Sequence, residues 1–434
     1  MQFVDLHNHL YGSISAEKLF EIGKRNPNPR WQIFTELYSK IYNKNISTET
    51  FFEDYSDLTQ FKELFLFNKR APFIEFQSKF NLIIALSRFD EEEIFDVSKS
   101  LVIENQEQGV CFVEFRIMYP PNADQSVYQS KTIAACRGLQ EGEKITQNKT
   151  QGRLVVSLHR DGNFLTQYEW LKDLMRQNEL VQKYLVGLDF CYIEEGFPPI
   201  HKKTFFEKVL EDNQKNPKMA LSILYHVGES FSDKTPKSAV RWIGESALYG
   251  AHRLGHAIAL GINPEIFKDR VIEESVSERM HQLEFELKHY EEIRTFGRIS
   301  DRNEILKELD RLKSKDTNIK LSFAMNKNSI DELYTFQEFM IYLIREKTKS
   351  VIECCPTSNL YIGMLPDLID HPIRRFVARN MKVTIGTDDS GIFDTTLPRE
   401  YNLVANTSLP LKQLEDVRDR SAFYKSEILS GRSI

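Results

Sequence analysis

Eight short apolar runs, spread along the whole chain, restrict its fold more than any other feature. They fall at residues 3–6, 110–117, 154–158, 184–190, 220–227, 253–254, 351–355 and 382–386. Most lack the in-and-out alternation of a half-exposed strand, as expected of parallel strands buried on both faces. Segments with helical periodicity, such as 94–109 and 205–213, separate most of them, so strand and helix alternate along the chain. Eight such units predict an α/β protein built as a (β/α)8 TIM barrel, whose functional side chains cluster at the C-terminal ends of the strands. An open doubly wound sheet is the competing arrangement, but no Gly-rich phosphate turn follows the first run.

With 434 residues, 41% of them hydrophobic, the chain can bury a core of that size, and residues 1–434 read as a single barrel domain carrying two insertions. The first, residues 24–70, is rich in Asn, Tyr and Phe with a weak helical pattern and is expected to pack over the barrel mouth. The second, residues 264–318, is dense in Glu, Lys and Arg. Its apolar residues Val276, Met280, Leu283, Leu287 and Tyr290, then Ile305, Leu306, Leu309 and Leu312, form two stripes at helical spacing. A charged helical hairpin is expected there, either packed on itself or serving as the surface of a homo-oligomer.

A net charge of −6 gives no field that would gather a polyanion, so nucleic acid is not an expected partner. No run is long enough to span a bilayer, and the opening Met1-Gln2-Phe3-Val4-Asp5 has neither a basic start nor an apolar signal core, so a cytoplasmic protein without a membrane partner is expected. Five cysteines in irregular positions, with Cys354 and Cys355 adjacent, predict reduced, buried thiols instead of a disulfide framework.

The chemistry gathers at the strand ends. His7 and His9 alternate on one strand and so face the same way. His226-Val227-Gly228-Glu229 follows the fifth run, with a glycine that lets the chain turn so that His226 and Glu229 can face one point. Leu254-Gly255-His256 follows the sixth and Thr387-Asp388-Asp389 the eighth. Four histidines, one glutamate and two aspartates thus meet on one face of the barrel. Three neutral imidazoles and a carboxylate make a donor set that suits zinc, with room for a water. The strand at 186–190 offers no lysine to bridge a second metal, so one ion is expected. Cys354-Cys355-Pro356-Thr357 is not the thiolate signature of the small cytosine and adenine deaminases. Glu114 and Glu353 lie inside strands and are expected to pair with Arg116 or a similar cation within the barrel.

The ordered set His7-x-His9, His226-x-x-Glu229, Leu254-Gly255-His256 and Thr387-Asp388-Asp389 resembles the adenosine and AMP deaminase family of zinc-dependent amidohydrolases. The stretches 9–15 and 387–393, with Glu400-Tyr401, look most like its adenosine deaminase-like branch, which acts on N6-methyl-AMP. The resemblance implies a barrel of the amidohydrolase type and a hydrolase acting on the C–N bonds of cyclic amidines. It further implies that His7, His9, His226 and Asp388 hold one Zn2+, that His256 orients and deprotonates a water, that Glu229 protonates ring N1, and that Asp389 contacts N7. The implied substrate is a small purine nucleoside or nucleotide: adenosine, AMP, dAMP or N6-methyl-AMP. Competing readings are a divergent amidohydrolase acting on another purine or a pterin-like amine, and a catalytically silent metal-binding scaffold, which would have no need of Glu229 and His256.

Two departures bear on the substrate. Nucleoside-specific members carry an aspartate where this chain has Tyr11; a carboxylate would repel a phosphate and a tyrosine would not, which favours a 5′-nucleotide. The glycine that normally follows the fourth strand is displaced, and Tyr192 stands near its place. Expected contacts to substrate are Tyr11, Ser13, Tyr192, Arg116 and His159, with Arg160 beside them.

Overall fold

The computed structural model describes residues 2–363, 365–407 and 409–433. Its strands are β1 (Phe3–His9), β2 (Val110–Met118), β3 (Gln151–Ser157), β4 (Leu185–Asp189), β5 (Ser222–Val227), β6 (Arg253–His256), β7 (Val271–Ser275), β8 (Lys320–Ala324), β9 (Val351–Cys354) and β10 (Val383–Ile385). Eight of them coincide with the eight apolar runs and lie parallel in the order β1-β2-β3-β4-β5-β6-β9-β10. The ring closes just beyond β10, where Asp388 N–H donates to His7 O and His9 N–H donates to Asp388 O, both at 2.8 Å. That closure sets an aspartate directly against the two histidines of β1. Helices cover the outside, so β4, β5, β6, β9 and β10 are buried along their full length, which is why their sequences do not alternate.

The barrel interior below the strand ends is charged. Glu114 and Arg116 on β2, Arg253 on β6 and Glu353 on β9 are all buried. Arg116 Nη2 donates to both Glu353 oxygens at 2.6 and 2.7 Å, Arg253 Nε lies 2.7 Å from Glu353 Oε1, and Arg253 Nη2 pairs with Glu114. The expected pairing of the strand glutamates is therefore present, with Glu353 bridging two arginines. Ser426, in the segment that closes the barrel floor, donates to Glu114 from both its backbone N and its hydroxyl at 2.7 Å. Removing one partner from such a buried network leaves charge uncompensated and costs about 3–5 kcal/mol. Glu353→Gln should lose stability in that range in urea unfolding; a loss below about 1 kcal/mol would contradict the assignment.

The first insertion folds into helices at Trp31–Tyr42, Phe51–Asp54 and Leu58–Phe65. Its end is tied to the loop after β10, where Phe67 N–H donates to Ile392 O at 2.8 Å and the Phe67 ring meets Phe393. In the second insertion the helices Val276–Lys288 and Arg302–Leu312 bury Val276, Leu283, Ile305, Leu309 and Leu312 against each other, as the stripes require. The expectation of a purely helical hairpin needs correction. The antiparallel pair β7 and β8 frames it, and the short, charged, largely exposed sequences of these strands gave no buried face to reveal them. No helix among the described residues is long and apolar enough to cross a membrane. All five cysteines are free; four are buried, but Cys111 is only partly so.

Candidate functional site

The strand-end residues converge as their positions require. His7, His9, His226 and Asp388 each place a ligand atom within 4.8 Å of the others. His9 Nε2 lies 3.2 Å from both His226 Nε2 and Asp388 Oδ1, and His7 Nε2 lies 3.4 Å from Asp388 Oδ1. Two of the rings are fixed from behind: His7 Nδ1 donates to Glu353 Oε2 at 2.9 Å, and His226 Nδ1 donates to Asp189 Oδ1 at 3.0 Å. Each ring therefore turns an Nε2 lone pair toward the common centre, the arrangement that carboxylate-backed metal-ligating histidines adopt. Burial holds the His226 imidazole down to about 4, so it is neutral and able to ligate. Burial opposes the charge on Asp388, but the close approach of the His7 and His9 rings outweighs it and keeps the carboxyl well below its usual range. The donor chemistry fits one cation such as zinc.

Beside this cluster stand Glu229, His256 and Asp389. His256 Nε2 lies 3.5 Å from Glu229 Oε2. Burial, followed by the charges of Asp388, Glu194 and Asp389, pushes Glu229 well above the usual carboxyl range and so favours its protonated form. Burial and the neighbouring Asp388 push Asp389 up in the same way, and its buried Oδ1 has no hydrogen-bond partner. Gly12 makes room for it, since a Cβ at that position would fall 1.5 Å from Asp389 Oδ1. Backbone strain also collects here: His256 and Asp388 hold φ of 65° and 60°, a region that non-glycine residues enter at a cost. Gly228, at φ 70°, turns the chain between His226 and Glu229.

The model of the adenosine deaminase family matches residues 3–284 and 334–421 of this sequence. The chain belongs to that family. The stretch left out, 285–333, takes in the later part of the second insertion, β8 and the start of the helix Lys327–Lys347. Among curated relatives, an aminodeoxyfutalosine deaminase of Acidothermus cellulolyticus is 37% identical over 21% of this chain and 25% of its own length. The chain thus matches about a quarter or less of the length of the first such relatives. Among solved structures, the N6-methyl-AMP deaminase of Arabidopsis thaliana aligns over 98% of this chain and 92% of its own, with a TM-score of 0.57 and 17% identity. A zinc-bound amidohydrolase from Burkholderia ambifaria covers 98% and 85%, with a TM-score of 0.55 and 14% identity. At these identities the two structures speak to the fold alone.

In this member of the adenosine deaminase family, the residues expected to bind substrate divide sharply. Tyr192 lies on a cleft of about 320 Å³ that also takes in His226, Glu229, Glu194, Glu195 and Phe73. The others do not line that cleft. Tyr11 is buried, its hydroxyl donating to Glu93 at 3.0 Å and its ring against Phe89. Ser13 is buried too, and donates to Asn8 Oδ1 at 2.8 Å. Arg116 lies beneath the histidines, paired with Glu353, because it shares the inward face of β2 with Glu114. His159 Nε2 donates to Tyr119 O at 2.7 Å, and Arg160 braces the backbone carbonyls of Phe190 and His226 at 2.9 and 2.6 Å. Each of these polar groups has an internal partner that its position along the sequence did not disclose. Glu194 escaped the sequence reading altogether. It accepts from Gly228 N–H at 2.8 Å and thereby ties the turn that carries Glu229 to the loop after β4.

Proposed function

We propose that the protein is a hydrolytic deaminase, dependent on one zinc ion, that removes the 6-amino group from the adenine ring of a nucleoside. One observation carries this reading: four ligand atoms lie within 4.8 Å of one another, and one of their residues, His226, lines the same cleft as Glu229, whose carboxyl is raised. His7, His9, His226 and Asp388 would hold the ion, which supplies a water of lowered pKa at the site. Protonated Glu229 would hand its proton to ring N1 and leave C6 electrophilic. Protonated Asp389, with no partner for Oδ1, offers the donor that N7 requires. Water oxygen adds to C6 as one of its protons passes to the ionised Asp388 carboxylate and on to the exocyclic nitrogen; the bond from C6 to that nitrogen breaks, the second proton returns to Glu229, and the balance is a 6-aminopurine plus water giving a 6-oxopurine plus ammonia.

The choice of a nucleoside rests on charge. No Lys or Arg lines the cleft among the described residues, whereas Glu195 does; burial opposes its charge, but the Ser230 and Ser232 hydroxyls hold its carboxyl below the usual range, so a phosphate dianion would meet like charge. Tyr11, on which the expected nucleotide preference rested, is buried with its hydroxyl on Glu93 and does not line the cleft. Tyr192, 57% exposed at the rim, presents a ring on which a base or sugar can rest. The test is ammonia release from adenosine, deoxyadenosine, AMP, dAMP and N6-methyl-AMP. The nucleosides should exceed the nucleotides in kcat/KM by about tenfold or more, equivalent to about 1.4 kcal/mol. AMP outrunning adenosine would overturn the nucleoside assignment, and ammonia from none of them the deaminase itself.

A further inference from the structure

Behind His256 lies a buried chain of hydrogen bonds whose direction can be read without seeing a proton. Asn359, His371 and His256 are all at most 2% exposed. The backbone N–H of Ile373 lies 3.1 Å from His371 Nδ1, and a backbone N–H can only donate, so that nitrogen accepts. Neutral His371 therefore carries its proton on Nε2, which lies 3.0 Å from Asn359 Oδ1. The backbone N–H of Cys355 meets the same oxygen at 3.1 Å. Two independent donors thus fix the orientation of the Asn359 amide, and its Nδ2 must be the atom facing His256 Nδ1 at 2.9 Å. An amide N–H donates and does not accept, so His256 Nδ1 is the acceptor.

We propose that Asn359, oriented by Cys355 and His371, is a positioning residue that keeps the proton of neutral His256 on Nε2, the nitrogen turned toward the site. Resting on the deaminase reading, this gives His256 a definite part: it donates a hydrogen bond to the attacking oxygen and does not deprotonate it. A base at this point would need a free Nε2 and a proton on Nδ1, and Nδ1–H would then face the Asn359 N–H head on. The role of water base that the family resemblance implies for His256 is the one this geometry refuses. His371 is a buried member of the relay that also caps the turn at Ile373.

Protein labelled with 15N at histidine decides the matter in long-range proton–nitrogen correlation spectra, recorded metal-free and zinc-loaded. The His256 signals are identified by their absence from H256Q. Wild type should show His256 with Nδ1 bare and Nε2 protonated. In N359D a carboxylate replaces the donating amide, so the proton should move to Nδ1, with kcat falling about 10²-fold and KM little changed. A wild-type spectrum with Nδ1 protonated would overturn the proposal, as would a folded N359D that keeps the wild-type tautomer. If N359D does not fold, the wild-type spectrum alone decides. A protein with the expected tautomer that deaminates nothing would contradict the deaminase reading and leave the hold of Asn359 on His256 standing.

Discussion

Glu229→Gln should retain its metal and lose about 10²–10⁴-fold in turnover. The substitution preserves shape and lies outside the ligand set, so zinc content should match wild type. The amide has no proton to give to ring N1, so C6 stays a poor electrophile. The sign of the pH dependence follows from the same group. Glu229 acts in its protonated form, and burial with the charges of Asp388, Glu194 and Asp389 raises its pKa. Activity should persist at neutral pH, fall as pH climbs through that raised pKa, and lose this alkaline limb in the variant. Steady-state kinetics across pH with metal analysis of both proteins checks the result, and near-normal turnover in the variant would remove Glu229 from the mechanism.

Stripping the metal should abolish deamination and lower thermal stability together. His7, His226 and Asp388 are buried and His9 is partly so, and their ligand atoms lie close to one another. An ion that binds only the folded chain stabilises it by about 4 kcal/mol when present at roughly a thousand times its dissociation constant. Chelation should therefore lower the unfolding midpoint by several degrees, and added zinc should restore it. A midpoint insensitive to both treatments would mean that the cluster binds no ion.

Most of the barrel and the convergence of its strand-end residues were legible because both depend on position along strands. Buried parallel strands leave unbroken apolar runs, and barrel geometry sends the ends of all eight to one face, so His7, His226, His256 and Asp388 assemble from segments far apart in sequence. Even the run at 253–254, too short to stand alone, proved to be the start of a four-residue strand. What stayed hidden depends on which partner a polar side chain finds. Arg116 and Arg160 sit near strand ends like the ligands, yet one turns down to Glu353 and the other to carbonyl oxygens. The parity of Phe112, Glu114 and Arg116 along β2 was a signal that could have placed Arg116 inside. Tyr11 lies two residues beyond His9, but Glu93 on a helix more than eighty residues later holds its hydroxyl, and no local pattern shows that. Asn359 and His371 matter through one another, and a relay built between the short helix Pro356–Tyr361 and the turn at His371 has no sequence period.

The central claim, that the four-residue cluster and its carboxyl neighbours form a zinc deaminase, is tested most directly by titrating zinc into metal-free protein while following the loss of the adenine chromophore of adenosine. The account predicts no turnover at the start and a linear rise that ends at one equivalent of zinc. Full activity before zinc is added, or none at full occupancy on adenosine and the rest of the nucleoside and nucleotide panel, would contradict it.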